Sequence, residues 1–448
     1  MENSKFGKAS FIVLLIFGLI GQLAWAVENM YFNLFVFETI YPSLDTVTLM
    51  VQLSGIVATI ATLVAGAVSD KVGNRRSFIS WGYIIWGITV AIFGFISNEN
   101  TEILFGLDAQ TAVTVTLALV VVADCVMTFF GSTANDASFN AWVTDNTEKS
   151  YRGKIEGVLA ILPLIALLMV AGGFGIIVQA VGYQLLFLAL GLVISACGIF
   201  GLFYIKDSPT LIKSGTLKDI VYGFKPSVIK NNIPLYLTLT LVLVYGIACQ
   251  IFMPYMIIFM KEYLGFSVIE YSLVFGVAIL GGAGVNLYLT RLSDTKDKLK
   301  MLYIAVAIMS LGLIGMYFGA MLNGKIVNLI VFGVFGFVMI TGYILISALC
   351  GSKVRDYTPT DSVGKLQGIR MFFSVLLPMI IGPMIGNAIN KARNIPLPDL
   401  GSADAMTTEF IPAPEIFLAG GIMVAVMFVL IPLLQKIVKK AESKDVKN

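Results

Sequence analysis

The chain has 448 residues, of which 58% are hydrophobic and 13% are charged, and its net charge is +3. Soluble domains average about 45–50% apolar and about 25% charged residues, so this composition indicates an integral membrane protein. The small net charge predicts no nucleic-acid partner. The chain contains no histidine, which excludes His-based triads and imidazole proton relays and leaves carboxylates for any proton coupling.

Apolar runs long enough to cross about 30 Å of hydrocarbon, roughly 20 residues each as helix, recur along the chain. The first lacks a signal-peptide cleavage pattern and is predicted to be retained. The sequence therefore predicts an all-α integral membrane fold with twelve transmembrane helices. We number these spans 1 to 12 in chain order; they cover residues 8–38, 46–69, 76–97, 111–143, 153–180, 183–205, 233–260, 268–292, 299–321, 326–352, 365–390 and 412–436.

The spans divide into two groups of six. Residues 1–205 are predicted to form an N-terminal six-helix bundle and residues 233–448 a C-terminal one. The lysine-rich segment 206–232 connects them, and its apolar residues at helical spacing predict an amphipathic helix on the bilayer surface. Two segments with the same residue spacing indicate an internal repeat: Asp145, Thr147, Gly153, Lys154, Glu156 and Gly157 in one half, and Asp356, Thr358, Gly364, Lys365, Gln367 and Gly368 in the other.

Basic residues set the predicted orientation. With both termini on one side, that side collects most of the 30 Lys and Arg residues and is predicted to be cytoplasmic. The opposite loops hold Lys261, Lys325, Lys391 and Arg393. We therefore expect a multi-pass protein of the plasma (cytoplasmic) membrane, monomeric and without a cofactor, in which the longest outer loop, 391–411, is a mobile connector.

The loop between spans 2 and 3, residues 66–76, reads GAVSDKVGNRR. This stretch resembles the signature of the major facilitator superfamily: Gly, three residues, Asp, a basic residue, one residue, Gly, one residue, then basic residues. The resemblance implies two six-helix pseudo-repeats that move a small-molecule substrate by alternating access, with the substrate site between the repeats.

The same loop predicts a cytoplasmic gate. Gly66 would permit close helix approach and Gly73 a tight turn, while Asp70 would make charge-assisted contacts with Arg75 and Arg76. The alternative is that the basic residues only anchor the topology. The residues of the predicted gate are Gly66, Asp70, Gly73, Arg75, Arg76, Asp145, Arg152, Glu156, Asp294 and Asp356.

Within the superfamily, three further matches resemble glycoside and cation symporters such as melibiose carriers and sucrose transporters. They are residues 21–26 (GQLAWA) followed by Glu28, residues 140–145 (NAWVTD), and residues 355–357 (RDY). Melibiose carriers use acidic residues within the second span for their cation, whereas span 2 has no carboxylate before Asp70. Asn140 stands where sucrose transporters tend to have a basic residue. The resemblance implies glycoside symport, with H⁺ favoured over Na⁺ as the coupling ion.

Two intramembrane carboxylates carry the predicted site, because a charge at a helix centre costs about 2.5–3.5 kcal/mol and marks function by default. Glu28 shares one face of span 1 with nearby polar and aromatic residues. Asp124 begins a polar stripe on span 4 that continues at helical spacing through Thr128, Gly131, Asn135, Ser138 and Trp142. Such a stripe borders a water-filled cavity or forms a helix interface of small and polar residues. In melibiose carriers, acidic residues on these two helices hold sugar hydroxyls.

The second half contributes weaker candidates. Arg370 stands opposite Leu159 in the repeat, which favours a specific partner, although snorkelling to the cytoplasmic surface is the alternative. Tyr245, Gln250 and Tyr343 offer hydrogen-bonding groups to a sugar or serve ordinary packing. The predicted substrate-binding residues are Gln22, Trp25, Glu28, Asn29, Asp124, Thr128, Asn135, Tyr245, Gln250, Tyr343 and Arg370; Glu28 and Asp124 are also the predicted proton-coupling residues.

The predicted function is cation-coupled symport, not catalysis. No P-loop spacing occurs in the sequence, so ATP-driven transport has no support. Two alternatives stay open: export of amphipathic compounds by proton antiport, and a non-transporting receptor or lipid-handling protein on the same fold. Span 5 lacks the Gly-Pro signature typical of drug antiporters, which disfavours export.

Overall fold

The computed structural model describes residues 7–147, 152–208, 221–295, 297–359, 366–397 and 409–445. These residues are almost entirely helical, and 11 of their helical stretches are long and apolar enough to cross a membrane. The chain divides into two compact units, Met1–Leu217 and Lys218–Asn448. The division falls inside the segment that the sequence predicts as the connector.

The first unit contains spans 1 to 6, with ends close to the predicted ones. Span 1 begins as Lys8–Val27 and continues through π-helical turns at Glu28–Phe32 and Val36–Ile40. Span 4 continues through a longer π-helical segment. The other segments are span 2, Leu44–Val72; span 3, Arg75–Phe93; span 4, Ala109–Gly131, Ser132–Phe139 and Asn140–Asn146; span 5, Arg152–Met169 and Val170–Phe174; and the helix Gly175–Tyr204, which completes span 5 and forms span 6.

One glycine explains why the twelve predicted spans form eleven stretches. Gly157–Tyr204 is one apolar stretch of 48 residues, but Gly182 within it has φ 79° and ψ 166°. Only glycine adopts such a conformation without steric cost. The break separates span 5, which contacts span 1 through Leu162 and Gly18, from span 6, which packs on span 3. The eleven stretches therefore contain the twelve predicted spans.

The second unit contains spans 7 to 12, preceded by the short helices Tyr222–Phe224 and Pro226–Asn231. Spans 7, 11 and 12 are each built from several helical segments. The segments are span 7, Ile233–Phe252, Met253–Tyr255, Met256–Ile258 and Phe259–Tyr263; span 8, Val268–Thr295; span 9, Lys298–Gly319; span 10, Lys325–Tyr357; span 11, Gln367–Met371, Phe372–Leu376 and Leu377–Arg393; and span 12, Glu415–Ala425 and Met427–Asp445.

Two connections between spans contain regular structure. A short helix, Asn98–Phe105, lies between spans 3 and 4; Ser97 caps its start and Gly106 ends it. The outer loop is not a free connector at its two ends, since β1 (Ile395–Pro396) pairs antiparallel with β2 (Phe410–Ile411). Backbone groups there find partners in each other. Most of the predicted amphipathic helix, residues 209–220, lies outside the described residues.

Span 4 begins at a well-formed cap. The carboxylate of Asp108 accepts hydrogen bonds from the backbone N–H of Thr111 at 3.0 Å and from its hydroxyl at 2.7 Å. These bonds stabilise the ionised carboxylate and lower the pKa of Asp108. The cap fixes where span 4 starts, and therefore which of its residues reach the middle of the bundle.

Spans 3 and 6 make the closest helix contact of the first unit through small residues. A Cβ on Gly198 would lie 2.6 Å from the backbone nitrogen of Ile84 and 2.6 Å from the carbonyl oxygen of Ser80. Backbone atoms cannot move aside as a flexible side chain can. Glycine on span 6 therefore lets the two backbones approach, as small residues do in membrane helix pairs.

We expect Gly198→Ala to destabilise the protein, because the added methyl group overpacks this contact at a cost of about 1–3 kcal/mol. Thermal unfolding of the purified protein in detergent should show a lower midpoint. Gly333→Ala is the matched control, since no atom lies within 4 Å of a Cβ at that position in span 10. Equal midpoints for the two variants would contradict the close packing of spans 3 and 6.

Candidate functional site

Glu28, Ser54, Asp124 and Thr128 form a buried group that we call the carboxylate cluster. Spans 1, 2 and 4 contribute these residues, whose exposed fractions are 7%, 3%, 2% and 1%. The Thr128 hydroxyl donates to Oε1 of Glu28 at 2.9 Å, and the Ser54 hydroxyl donates to Oδ2 of Asp124. The two hydroxyl oxygens lie 3.4 Å apart. A line of polar atoms therefore connects the two carboxylates through two hydroxyl groups.

No positive charge balances this cluster among the described residues. Oε2 of Glu28 and Oδ1 of Asp124 are buried and have no hydrogen-bond partner there, and the ion pairs of that part of the chain involve neither carboxylate. A third acid, Asp136, lies within electrostatic range of Glu28. Burying ionised carboxylates without a partner is costly. The cluster therefore has free acceptor capacity for a proton, a cation or a donor group of a solute.

Local helix geometry explains how the cluster forms. Asp124 and Thr128 are four residues apart on span 4, so they lie on the same face. Glu28 begins the π-helical turn Glu28–Phe32, and such turns are frequent at functional sites because they redirect side chains. The sequence indicates Glu28, Asp124 and Thr128 but not Ser54, because a lone serine in an apolar helix usually serves packing.

The other predicted residues of span 1 are close to Glu28 in sequence. Trp25 is half-buried, and its ring packs 5.2 Å from the ring of the buried Trp86. Gln22 is half-buried on the same span. Asn29 is exposed, and its amide donates to the carbonyl oxygen of Trp25 at 2.8 Å. Asn29 therefore bonds within its own helix rather than with Glu28.

The polar stripe of span 4 divides into two parts. Asp124 and Thr128 belong to the carboxylate cluster, whereas Asn135 packs against Gly21 and its Oδ1 lies 3.0 Å from the Tyr83 hydroxyl. Further along, the Trp142 ring N–H donates to the carbonyl oxygen of Lys206 at 2.8 Å. The far part of the stripe is therefore a helix interface. For this part of the stripe the structure agrees with the helix-interface alternative, with Asn135 bonded to Tyr83 of span 3.

The second-half candidates occupy separate places within their unit. The Tyr245 hydroxyl donates to the carbonyl oxygen of Tyr343 at 3.2 Å, and the two rings lie 5.6 Å apart. Gln250 packs its backbone and Cβ against Gly382 of span 11. Arg370 lies in the first helical segment of span 11, and its carbonyl oxygen accepts from Ser374. Tyr245 and Tyr343 thus form a pair.

A second polar cluster centres on Arg75, the first residue of span 3. Its Nε donates to Oδ2 of Asp145 at 3.0 Å, one terminal nitrogen donates to the Ser69 hydroxyl at 2.5 Å, and the other pairs with Asp70. The Arg75 side chain is 5% exposed. Gly73, with φ 68°, ends span 2 and turns the chain toward span 3. One guanidinium group therefore joins the ends of spans 2, 3 and 4.

The second unit repeats this arrangement. Lys298, the first residue of span 9, lies 3.5 Å from Asp356 near the end of span 10, and Lys353 lies 3.8 Å from the same carboxylate. Asp356 is the repeat counterpart of Asp145. Each unit thus places a basic residue at the start of its third span and an acid near the end of its fourth. This shared ion pair agrees with the internal repeat in the sequence.

Two details of the predicted gate differ in the structure. Asp70 pairs with Arg75, whereas Arg76 bonds elsewhere: its backbone N–H donates to Asp207 at 3.0 Å and its guanidinium donates to the carbonyl oxygen of Leu202. No atom of the described residues lies within 4 Å of a Cβ at Gly66, so Gly66 marks no close helix contact in that part of the chain. The side chains of Arg152, Glu156 and Asp294 lie outside the described residues.

The geometry offers no metal centre in the part of the chain that the structure describes, since no group of three or more Cys, Asp or Glu residues there is arranged to hold a metal ion. The chemistry of the carboxylate cluster is therefore that of acceptors: two carboxylates and two hydroxyls that can bind a proton, a monovalent cation or the hydroxyl groups of a solute.

Residues 11–383 match the family model of the Major Facilitator Superfamily. The match covers most of the chain, and the chain belongs to this superfamily. It is a membrane transporter with the two six-helix pseudo-repeats of that fold, not an enzyme. None of the curated proteins matches its sequence.

Solved transporter structures share the fold at low identity. A mutant of the nucleoside transporter NupG is 11% identical, with a TM-score of 0.66 over 95% of this chain and 98% of that chain. A bacterial homolog to the human lysosomal transporter Spinster, inward-facing and occupied, is 13% identical, with a TM-score of 0.65 over 95% of this chain and 96% of that chain. At such identities the similarity concerns the fold alone.

Arg75→Gln should destabilise the first unit, because Asp145 and the buried Ser69 hydroxyl lose the charged donor that they share. We expect a loss of about 1–3 kcal/mol in the free energy of unfolding, measured as a lower thermal midpoint in detergent. Lys71→Gln is the control, since Lys71 is an exposed basic residue of the same loop. A midpoint for Arg75→Gln equal to that of the control would show that the three-helix contact adds no stability.

Proposed function

We propose that the protein is a secondary active transporter that carries a glycoside or a related polar solute together with a proton, by alternating access. The observation that carries this proposal is the carboxylate cluster: two buried acids, Glu28 and Asp124, with free acceptor atoms and no cationic partner among the described residues. Transport needs a site that binds its proton or solute in one state and releases it in another.

Proton coupling follows from the electrostatics of the cluster. An apolar helix bundle favours neutral groups, so a proton on one acid removes a charge that is costly to bury. With no histidine in the chain, only carboxylates can take this role near neutral pH. Span 2 contributes a hydroxyl, Ser54, and no carboxylate to the cluster, which supports H⁺ rather than the Na⁺ of the melibiose pattern.

A polar, hydroxyl-rich solute fits the acceptor chemistry. Ionised carboxylates accept several hydrogen bonds at once, and sugar hydroxyls are their natural donors. Trp25 on the same span offers an aromatic face next to Glu28, and aromatic rings pack well on the apolar face of a sugar ring. In the second unit, the paired Tyr245 and Tyr343 are the proposed counterpart.

We also propose that the Arg75 cluster acts as a cytoplasmic gate element together with its repeat at Lys298 and Asp356. Charge-assisted hydrogen bonds are strong, and transporters form or break such contacts when they change state. These bonds therefore suit a gate that is closed in one state and open in another.

To test proton coupling, purified protein is first screened by thermal shift against glycosides, nucleosides and amino acids at two pH values, since ligands of the folded state raise apparent stability. The stabilising solute is then added to proteoliposomes in Na⁺-free medium. We expect alkalinisation of the outside medium as H⁺ enters with the solute. Glu28→Gln and Asp124→Asn should each abolish this signal.

The control for this assay is Thr59→Ala, a change at a buried residue of span 2 that bonds only within its own helix in the described structure. It should retain proton flux. Uptake that requires Na⁺ and moves no protons would overturn the proposal, as would normal proton-coupled uptake by Asp124→Asn.

The gate proposal predicts a change in access. Replacing Asp70 with Asn weakens the Arg75 cluster, so a state open to the cytoplasm becomes more populated. Single cysteines introduced near Gly157 and Gly368 should then react faster with a membrane-impermeant thiol reagent applied from the cytoplasmic side. Glu99→Gln, at an exposed residue of the helix Asn98–Phe105, is the control. Unchanged labelling in the Asp70 variant would remove this carboxylate from the gate.

A further inference from the structure

The hydroxyl of Thr128 has two possible acceptors. Oε1 of Glu28 lies at 2.9 Å and Oγ of Ser54 at 3.4 Å. A hydroxyl group has one proton to donate but can accept further bonds, so Thr128 donates to one of these atoms at a time. An ionised Glu28 takes that proton as acceptor. A protonated Glu28 instead donates to Thr128, which then turns its own proton toward Ser54.

When Glu28 is protonated, Ser54 completes the line, because it accepts from Thr128 and its own hydroxyl donates to Oδ2 of Asp124. When the proton is on Asp124 instead, Asp124 donates to Ser54, Ser54 to Thr128 and Thr128 to Oε1 of Glu28. All four side chains are more than nine-tenths buried, and each carboxylate keeps one oxygen without a hydrogen-bond partner in the described chain. The hydrogen bonds therefore form an unbroken path between two acids on different helices, and span 2 supplies the middle of that path through a residue with no ionisable group.

We infer that Ser54 and Thr128 form a hydroxyl relay through which Glu28 and Asp124 share a single proton. In the transfer, the Glu28 carboxyl gives its proton to Oγ1 of Thr128, Thr128 gives its own to Oγ of Ser54, and Ser54 gives its own to Oδ2 of Asp124. Each hydroxyl gains one O–H bond and loses one. Glu28 ends as a carboxylate and Asp124 as a carboxylic acid, with no other charge changed.

This inference rests on the proposed function and makes Ser54 and Thr128 relay residues that pass the proton between the two acids. Its consequence for coupling is direct. A solute that binds one carboxylate moves the shared proton to the other, so solute and proton occupy the cluster together without competing for one acid. Two independent acids would each need their own proton to become neutral.

Other ionisable groups face the cluster from the packed helices. On span 4, Asp136 interacts electrostatically with Glu28, and the Cys125 thiol interacts with both acids. On span 3, the Tyr83 hydroxyl donates to Oδ1 of Asn135, which is outside the cluster. Span 2 has no ionisable residue between Asp45 and Asp70. None of these groups forms a hydrogen bond to the cluster within the described residues, so the two hydroxyls are the path that the structure provides.

The test is an infrared pH titration of the purified full-length protein in Na⁺-free potassium buffer, following the carboxyl C=O band. Interacting acids lose their protons in two steps that belong to the pair. Glu28→Gln and Asp124→Asn should each leave only one deprotonation step. The two variants together therefore assign the carboxyl bands to Glu28 and Asp124. Ser54→Ala breaks the relay, so the state with one shared proton loses stabilisation. The pH difference between the midpoints of the two deprotonation steps should then narrow by about one pH unit.

Two variants control for a merely structural effect. Ser54→Thr keeps the hydroxyl and should retain the wild-type separation. Thr59→Ala removes a buried hydroxyl of the same span that donates only to the carbonyl oxygen of Gly55 in the described structure, and it should also leave the separation unchanged. Thr128→Val keeps the side-chain shape without the hydroxyl. It should narrow the separation as Ser54→Ala does, and it replaces that variant if Ser54→Ala does not fold.

A wild-type separation in both Ser54→Ala and Thr128→Val would overturn the relay while leaving proton coupling in place, since each acid would then titrate without the hydroxyls. The proposed function fails in a different way. If added Na⁺ removes the carboxyl band of the wild-type protein at constant pH, the cluster binds Na⁺ instead of a proton, and both the coupling ion and the relay are wrong.

Discussion

A charged group inside an apolar helix bundle needs a partner there, because neither lipid nor a packed core can solvate it. The first unit meets this constraint differently at its two charged clusters. Arg75 joins three helix ends by opposite charge, with Asp70 and Asp145 as its acceptors. Glu28 and Asp124 have only hydroxyl donors in the described residues. The charges of the first cluster balance one another, whereas the second keeps acceptor capacity for a proton, a cation or a donor group of a solute.

The placement of the carboxylate cluster depends on close helix packing around it. Span 3 carries Trp86 and Tyr83, which pack against Trp25 and Asn135, and span 3 is itself held against span 6 where Gly198 admits the backbone of Ile84. Rigid neighbours keep the two acids and two hydroxyls within hydrogen-bond distance. The π-helical turns of spans 1 and 4 change the helical register beside the same residues. A site that binds and releases a proton gains from helices that can adjust their register locally.

The repeat gives both units the same ion-pair arrangement but different interiors. Asp145 with Arg75 and Asp356 with Lys298 occupy equivalent places. Among the described residues, the buried pair of acids, Glu28 and Asp124, lies in the first unit, while the interior of the second unit holds the pair Tyr245 and Tyr343.

The sequence by itself determined the class of protein, the spans and the superfamily, and it singled out Glu28 and Asp124 as intramembrane carboxylates, because hydrophobicity and the cost of intramembrane charge are properties of residue type and spacing. Most span ends agree within a few residues, since polar caps such as Asp108 are local signals; the last helix of span 12 continues beyond the predicted end, to Asp445.

Only the tertiary structure decided which polar residues meet. It brought Ser54 between the two acids, moved Asn135 into a helix interface, gave Asp70 to Arg75 rather than Arg76, and left Gly66 without a close contact. These outcomes depend on the rotation of each helix about its axis. That rotation is set by side-chain packing between spans that are far apart in the chain. The residue periodicity within one span carries no information about this packing.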